Sequence, residues 1–332
     1  MKKFILLIML IVAGVKGASA QEAVAVIKSG DVTKTYAGFK ALQSAYADAK
    51  DGDLITLSSG TFGAVAEIEK SITIRGAGAY IDNTYKTQPT YISGNFAIGK
   101  QSVTIEGIAV EDGNIITLKD DSPKFIKCKL QSINYYEYEK DGKSYYRIVD
   151  NAYFLHCQIL KQVYCTGSMT FINCQVYKPI TYKKTSCSMT FRNCAVELTN
   201  DVAKVYSSTF INSYIRCYSG GYSWNTNEFT TFTNCLFYPK VQNMSGNAPS
   251  FSNCWSNDNY DNIFVKDSWY VFTDTSKGKY LDEYGREIGI RGGTFPWKTR
   301  VAGPHIKSME VAPRSTADGK LRIKMTVENS SY

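Results

Sequence analysis

One decapeptide occurs twice in this chain, twenty residues apart: SMTFINCQVY begins at Ser168 and SMTFRNCAVE begins at Ser188. The frame that the two copies share is an aromatic residue or isoleucine, usually followed two residues later by asparagine or glycine. Weaker copies of this frame recur on both sides of the decapeptides. The nine anchors of this frame are Ile74, Ile105, Phe125, Phe154, Phe171, Phe191, Phe210, Phe232 and Phe251. Nine copies at a spacing near twenty residues predict a solenoid in which each repeat forms one coil.

Three more positions of the repeat carry similar residues in most copies, and each set of equivalent positions is called a column here. Two residues after the anchors stand Gly76, Gly107, Lys127, His156, Asn173, Asn193, Asn212, Asn234 and Asn253. Since glycine and asparagine most readily accept a positive φ, this column predicts a sharp turn between two strands, and a structural role for His156 within it. The following residue is often a cysteine, namely Cys128, Cys157, Cys174, Cys194, Cys235 and Cys254, and an aliphatic residue comes two positions later. Side chains alternate across a strand, so anchors, thiols and aliphatic residues should share one interior.

The cysteine spacing favours a ladder of buried thiols over a disulfide framework, because a free cysteine packs as a small apolar residue. Cys165, Cys187 and Cys217 lie outside the ladder and are the plausible partners for a bridge. The sequence contains no CxxC, so a cysteine-based metal site is not expected.

The first twenty residues have the pattern of a secretory signal peptide. Lys2 and Lys3 precede an apolar run from Phe4 to Val15, and Ala18-Ser19-Ala20 supplies a small-residue cleavage site. We therefore expect export to the periplasm, the cell surface or the medium, with no transmembrane segment in the mature chain. Loss of three lysines with this segment would lower the formal net charge from +8 by three, to +5. This mild charge, without a basic run, does not indicate nucleic-acid binding.

A short amphipathic helix is predicted from Tyr36 to Ala49. Apolar residues recur there at helical spacing, namely Phe39, Leu42, Ala45, Tyr46 and Ala49. Asp51-Gly52-Asp53 should end the helix before the apolar run Leu54 to Leu57. Because an open solenoid end exposes unpaired strand edges, we expect this helix to cap it.

The segment FKALQSAYADAKDGDLITLSSGTF, followed by KSITIRGAG and then by the F-x-N-C coils, resembles the right-handed parallel β-helix of the pectin-lyase-like superfamily. The resemblance spans about Tyr36 to Trp255. It implies an all-β, three-faced solenoid of about nine or more coils, export, and frequent action on polysaccharides, chiefly acidic ones cleaved by lyases or hydrolases. The superfamily also contains adhesins, fibres and scaffolds, so the fold alone does not give an activity.

These observations divide the chain into three parts. The signal peptide covers 1–20, and the β-helix with its N-terminal cap covers 21–303. A C-terminal β segment, 304–332, is expected to pack on the solenoid. The tail from Gly289 (GIRGGTFPWKTRVAGPHIKSMEV) resembles the endings of exported bacterial β-helix proteins.

An enzyme of this superfamily would need clustered carboxylates on adjacent coils, which would either bind calcium beside a lysine or arginine base or act as an aspartate acid/base set. Glu106, Glu111 and Asp112 lie close in sequence, and Arg75 precedes Glu106 in the outward column that follows the anchors. One interpretation is a calcium-dependent polysaccharide lyase with Arg75 as the base. The alternative, which the sequence favours, is a solvated acidic edge in which Arg75 pairs with Glu106. The catalytic motif of the family is not visible here.

A β-hairpin excursion is predicted near 133–149, where INYYEYEKDGKSYYRIV should turn at Asp141-Gly142. Its arms carry five tyrosines, Tyr135, Tyr136, Tyr138, Tyr145 and Tyr146. A tyrosine can stack on a sugar ring, and it can equally pack on a neighbouring strand. Further aromatic residues open to the same two interpretations are Tyr222, Trp224, Trp255 and Trp269.

An apolar stripe occupies the outward column after the anchors, formed by Ile126, Leu155, Ile172 and Ile211. Such a stripe is usually covered, either by the chain itself or by a partner. The hairpin and the segment after Pro304 are the predicted covers, and a protein partner is the alternative. Three functions remain open: binding of an extended polysaccharide, neutral or acidic, which the sequence favours; calcium-dependent lyase activity; and a non-catalytic scaffold or adhesin.

Overall fold

The structure of this protein is a computed structural model that describes residues 23–81, 88–181, 187–198, 205–217, 229–238, 249–266, 268 and 270–297. For 303–311 and 323–330 it describes the backbone. The predicted signal peptide, Tyr222, Trp224 and Trp269 lie outside the described residues.

Three sheets stack coil upon coil to form a parallel β-helix. In spatial order, sheet A comprises Val32–Ala37, Val24–Ser29, Leu54–Leu57, Thr73–Arg75, Thr104–Glu106, Lys124–Ile126, Ala152–Leu155, Ser168–Ile172, Ser188–Arg192, Thr209–Ile211, Thr231–Thr233 and Ser250–Ser252. Sheet B comprises Gly60–Gly63, Thr90–Ser93, Ala109–Val110, Lys129–Leu130, Gln158–Ile159, Gln175–Tyr177, Ala195–Leu198, Tyr214–Cys217, Leu236–Tyr238 and Trp255–Ser256. Sheet C comprises Glu67–Ile68, Phe96–Ile98, Ile115–Leu118, Ser132–Tyr135, Val163–Cys165 and Pro179–Thr181. The predicted all-β solenoid is therefore confirmed.

The anchors form one continuous stack inside the solenoid. Successive phenylalanine rings from Phe125 to Phe251 lie with their centroids 4.6 to 5.2 Å apart and their planes 7° to 19° from parallel. The rings from Phe125 to Phe232 are at most 1% exposed, whereas Phe251 in the last coil is half-buried. Each ring thus has its equivalent in the neighbouring coils as its main contact.

The thiol ladder lies beside this stack. Each ladder cysteine donates its thiol hydrogen to the carbonyl of the preceding coil's anchor, as Cys174 does to Phe154 at 3.4 Å. None of the nine cysteines forms a disulfide, so Cys165, Cys187 and Cys217 are thiols as well. Ladder thiols therefore fill interior volume and also satisfy backbone acceptors.

The turn column adopts the left-handed conformation. From Lys127 to Asn253 its residues have φ between +47° and +53°, and Gly107 has φ +64°. Gly76 departs from this pattern, since it does not have a positive φ. A Cβ on Gly76 would lie 2.4 Å from the carbonyl oxygen of Gly107, so the glycine is required there by close backbone approach.

The capping helix is shorter than predicted and spans Ala41–Asp48. Tyr36 belongs instead to the strand Val32–Ala37, which pairs antiparallel with Val24–Ser29, because its β-branched residues favour a strand. Phe39 is 54% exposed and takes no part in the cap. Leu42 is buried and faces the same interior space as Ile74 and Ile105, so the helix closes the N-terminal end of the solenoid. No helix among the described residues is long and apolar enough to cross a membrane.

After the last coil the chain returns along the outside of the solenoid. A short 3-10 helix, Tyr260–Asn262, precedes a second apolar cluster in which Phe264 and Phe272 pack over Tyr214 and Leu236 on the outer face of sheet B. Residues 282–297, here called the strap, then follow the turn column. Asn173 donates its amide to the carbonyl oxygens of Ile290 and Gly292, both at 2.9 Å.

The strap also contacts other coils. The imidazole Nε2 of His156 is 2.8 Å from the carbonyl oxygen of Phe295, and the backbone carbonyl of Asn212 accepts a hydrogen bond from the backbone amide of Gly289 at 2.7 Å. The turn column therefore shapes the turn and also holds the strap, through the side chains of Asn173 and His156 and the backbone of Asn212. Sequence reasoning identified the first role only.

Two antiparallel hairpins complete the fold. One pairs Glu137–Lys140 with Lys143–Tyr146 around Asp141 and Gly142, which both have positive φ, as predicted. The other pairs Gly303–Val311 with Ile323–Ser330 and shifts register between Ile306 and Ser308. Packing of 304–332 on the solenoid stays a prediction.

Candidate functional site

The first hairpin separates its side chains by face. Tyr138 pairs with Tyr145, and Lys140 pairs with Lys143. The amide of Arg147 donates to the carbonyl of Tyr136, which continues the same register. Because directly opposed residues share a face, one face carries Tyr136, Tyr138, Lys140, Lys143, Tyr145 and Arg147. We call this set the basic tyrosine face. The opposite face carries Tyr135, Glu137, Glu139, Ser144 and Tyr146.

The three tyrosines of the basic tyrosine face are exposed and nearly parallel. Tyr136 and Tyr138 have their centroids 6.1 Å apart with 20° between the ring planes. Tyr138 and Tyr145 have theirs 5.8 Å apart with 22° between the planes. The three residues are 37%, 40% and 41% exposed. The hairpin thus presents a row of aromatic surfaces to solvent.

The other two tyrosines attach the hairpin to the solenoid. Tyr135 meets Tyr164 of sheet C edge-on, at 5.5 Å between centroids, and Tyr146 at 6.3 Å. Both are half-buried. Of the five tyrosines predicted as a binding set, the structure therefore brings three together in the open, whereas two serve as packing residues.

The charged side chains of the hairpin are also separated by face. Lys140, Lys143 and Arg147 belong to the basic tyrosine face, whereas Glu137 and Glu139 belong to the opposite one. Lys119 adds a further cation, with its ammonium 4.4 Å from the centroid of the Tyr136 ring. Two carboxylates approach these cations: Asp120 lies 3.8 Å from Arg147, and Glu67 lies 2.7 Å from Lys119. Lys140 and Lys143 extend the positive charge to the hairpin tip.

The predicted catalytic residues are not assembled into one site. Arg75 Nε donates to Glu106 Oε2 at 2.7 Å, and the Glu106 side chain is 2% exposed. Asp112 bonds Lys161 at 2.7 Å, and this hydrogen bond lowers the pKa of Asp112. Glu111 follows the strand Ala109–Val110 of sheet B, on another face of the solenoid from Glu106. Across the described ranges, no three carboxylate, imidazole or thiol groups lie close enough to hold a metal ion.

The apolar stripe is covered in part, and by a segment that the sequence did not indicate. Ile126 and Leu155 line a cleft of about 430 Å³ whose other wall is the strap segment Thr294 to Pro296. At Ile126 and Leu155 the cover is the strap, since no hairpin residue lines this cleft. A protein partner on the stripe and a cover from the segment after Pro304 stay predictions.

Comparison with known proteins adds little to this description. No family model matches the chain, and no curated protein matches it. A solved structure, the complex of alginate lyase AlyF-OU02 with G6, is similar over 59% of this chain at 12% identity and a TM-score of 0.31. The match covers 47% of that chain, so the similarity spans about half of its length. By its own architecture, the protein described here is a parallel β-helix with an external strap and an exposed tyrosine hairpin.

Proposed function

We propose that this protein binds an extended anionic polysaccharide through the basic tyrosine face. One observation carries the proposal: the hairpin places three exposed tyrosines and three cations on one face, and its glutamates on the other. Packing alone requires no such segregation on a projecting hairpin.

Each part of the face matches one property of such a polymer. A tyrosine ring covers the apolar C–H face of a sugar, and its hydroxyl remains available for a hydrogen bond, so each stacked ring contributes about 1 kcal/mol. Lysine and arginine pair with carboxylate or sulfate groups through charge-assisted hydrogen bonds. A row of near-parallel rings suits successive residues of a polymer better than a single small ligand.

Two expectations from the sequence support the same proposal. The resemblance to the pectin-lyase-like superfamily implies polysaccharides, chiefly acidic ones, as ligands. A signal peptide would deliver the chain to a compartment where such polymers occur. The catalytic candidates do not favour cleavage as a second function, since Arg75 is paired with Glu106 and Asp112 with Lys161.

Titration calorimetry with oligogalacturonate, alginate oligosaccharides and a neutral glucan tests the proposal. Replacing Tyr138 or Tyr145 by alanine should weaken binding of an acidic oligosaccharide roughly fivefold to tenfold, the loss of one stacked ring. The matched control is Ser144→Ala, which alters the opposite face of the same strand and should leave affinity unchanged. Equal effects of Tyr138→Ala and Ser144→Ala would refute the assignment of the face.

A second pair of variants tests the charge. Lys143→Gln should weaken binding of the acidic oligosaccharide a few-fold at low salt and have little effect at high salt, where the interaction is screened. Glu139→Gln, on the other face, should not weaken it. If a neutral glucan binds as tightly as the acidic one and Lys143→Gln has no effect, stacking alone carries the site.

A further inference from the structure

The cleft between the strap and sheet A has features that the glycan proposal does not use. Its sheet wall is formed by Ile126 and Leu155, and its strap wall by Phe295 and Pro296. Leu155 pairs in register with Ile172, which continues the apolar surface into the next coil. At about 430 Å³ the cleft falls within the size range of small-molecule sites. It shares no lining residue with the hairpin.

The charges around this cleft are asymmetric. Lys124 is exposed and lies directly beside Tyr153, a lining residue, in the parallel register of sheet A. Since neighbouring strands are about 4.8 Å apart and residues two apart share a face, Lys124 projects from the same outer face as Ile126 and Tyr153, beside the cleft. The nearest carboxylate in the adjacent column is Glu106, beside Ile126, and Arg75 pairs with it. Lys124 is therefore the cation that the register of sheet A places beside the cleft.

The polar lining groups add no negative charge. The phenol of Tyr153 is neutral at neutral pH and can donate a hydrogen bond, and burial raises its pKa further. Thr294 contributes a second hydroxyl to the lining. A carboxylate at the mouth would meet one ammonium and nearby hydroxyl donors, while an apolar body would displace water from the leucine, isoleucine and phenylalanine surfaces.

We propose that this cleft binds a monocarboxylate with an apolar body, such as a medium-chain fatty acid, with the carboxylate at Lys124 and the body between Leu155 and Phe295. The occupant follows from charge complementarity combined with an apolar interior. It is independent of the glycan proposal.

Titration of the full mature chain with three probes tests this assignment. Octanoate, 1-octanol and octyltrimethylammonium share one apolar chain and differ in the charge of the head group. Octanoate should bind saturably and most tightly, and octyltrimethylammonium most weakly. Lys124→Gln should weaken octanoate about fivefold, which corresponds to the loss of one partly exposed ion pair, and should leave octanol unchanged.

Filling the cleft provides the second test. Leu155→Trp should abolish octanoate binding, whereas Ile211→Trp, in the same outward column but outside the cleft, should not. If Leu155→Trp fails to fold, Ile126→Trp replaces it. The proposal is overturned by absence of saturable octanoate binding, by equal affinity for the three probes, or by binding that survives in a folded Leu155→Trp or Ile126→Trp variant.

Discussion

The ring of Phe171 lies on the ring of Phe191, with the centroids 4.8 Å apart and 9° between the planes. The two phenylalanines hold the same place in the two copies of the repeated decapeptide, and the copies pair residue by residue from Ser168 on Ser188 to Ile172 on Arg192. In a parallel β-helix each side chain meets its equivalent in the next coil. A repeat in sequence therefore becomes a repeat of contacts, which accounts for the recurrence of one sequence frame.

Phe191→Ala should lower the free energy of unfolding by about 3–5 kcal/mol, because it opens a cavity between two stacked rings in a fully buried column. Phe251→Ala is the matched control, since Phe251 ends the stack and is half-buried. Phe251→Ala should lower the free energy of unfolding by distinctly less than Phe191→Ala does. Urea unfolding of both variants measures the difference, and equal costs would mean that the stack is not the main source of stability.

Contacts within the repeat could be predicted from the sequence, and contacts outside it could not. The phenylalanine and cysteine columns recur often enough to reveal an interior, and Asp141-Gly142 marks a turn by its residue types alone. The strap has no sequence repeat, because it crosses several coils and meets each of them through different groups, such as the Asn173 amide and the Asn212 backbone carbonyl. The position of Phe264 over Tyr214 depends on where the chain returns after the last coil, and no local pattern specifies this.

Asn173 has two roles that substitutions can separate. Asn173→Gly keeps the left-handed backbone but removes the two hydrogen bonds to the strap. It should lower the free energy of unfolding by about 1–3 kcal/mol. Asn173→Ala should cost roughly 1 kcal/mol more, since alanine resists positive φ. Hydrogen exchange should show faster opening near Ile290 and Gly292 in both variants. If exchange in the strap is unchanged, the asparagine contacts do not hold it.

Stability should fall at alkaline pH because buried thiols must ionise on unfolding. Burial raises the pKa of Cys217 to about 12. A cysteine in the unfolded chain has a pKa near 8.5, so the stabilising contribution is complete below about pH 8.5 and is lost as pH rises above it.

Cys217 alone should reduce the free energy of unfolding by about 1.4 kcal/mol per pH unit in that range. Cys217→Ala should therefore show a shallower decline than the parent protein in urea unfolding measured above about pH 8.5. Parallel declines in the two proteins would show that Cys217 is not protonated in the folded state at those pH values.

Tyr164→Ala should loosen the hairpin without disturbing the solenoid, because the half-buried Tyr164 side chain supports Tyr135 from the outer face of sheet C. Trypsin should then cut faster near the hairpin tip, at Lys140 and Lys143. Affinity for the acidic oligosaccharide should fall although no residue of the basic tyrosine face is altered. Unchanged proteolysis at the tip would show that Tyr164 does not position the hairpin.

The sequence indicated which tyrosines the hairpin carries, but not which of them are exposed and which pack against the solenoid. Five tyrosines on two arms are visible in the sequence, and the alternation of strand side chains could have sorted them once the register was known. The turn at Asp141-Gly142 sets that register. The anchoring role of Tyr135 depends on Tyr164, which lies in the next coil, so spacing alone could not show it.

Native electrophoresis of the mature protein through gels containing polygalacturonate, alginate or a neutral glucan tests the central proposal most directly. The parent protein should be retarded selectively in an acidic gel, and a Tyr138→Ala, Tyr145→Ala double variant should migrate there as it does in the gel without polysaccharide. Unchanged mobility of the parent protein in every gel, or equal retardation of the parent and the double variant, would contradict the account.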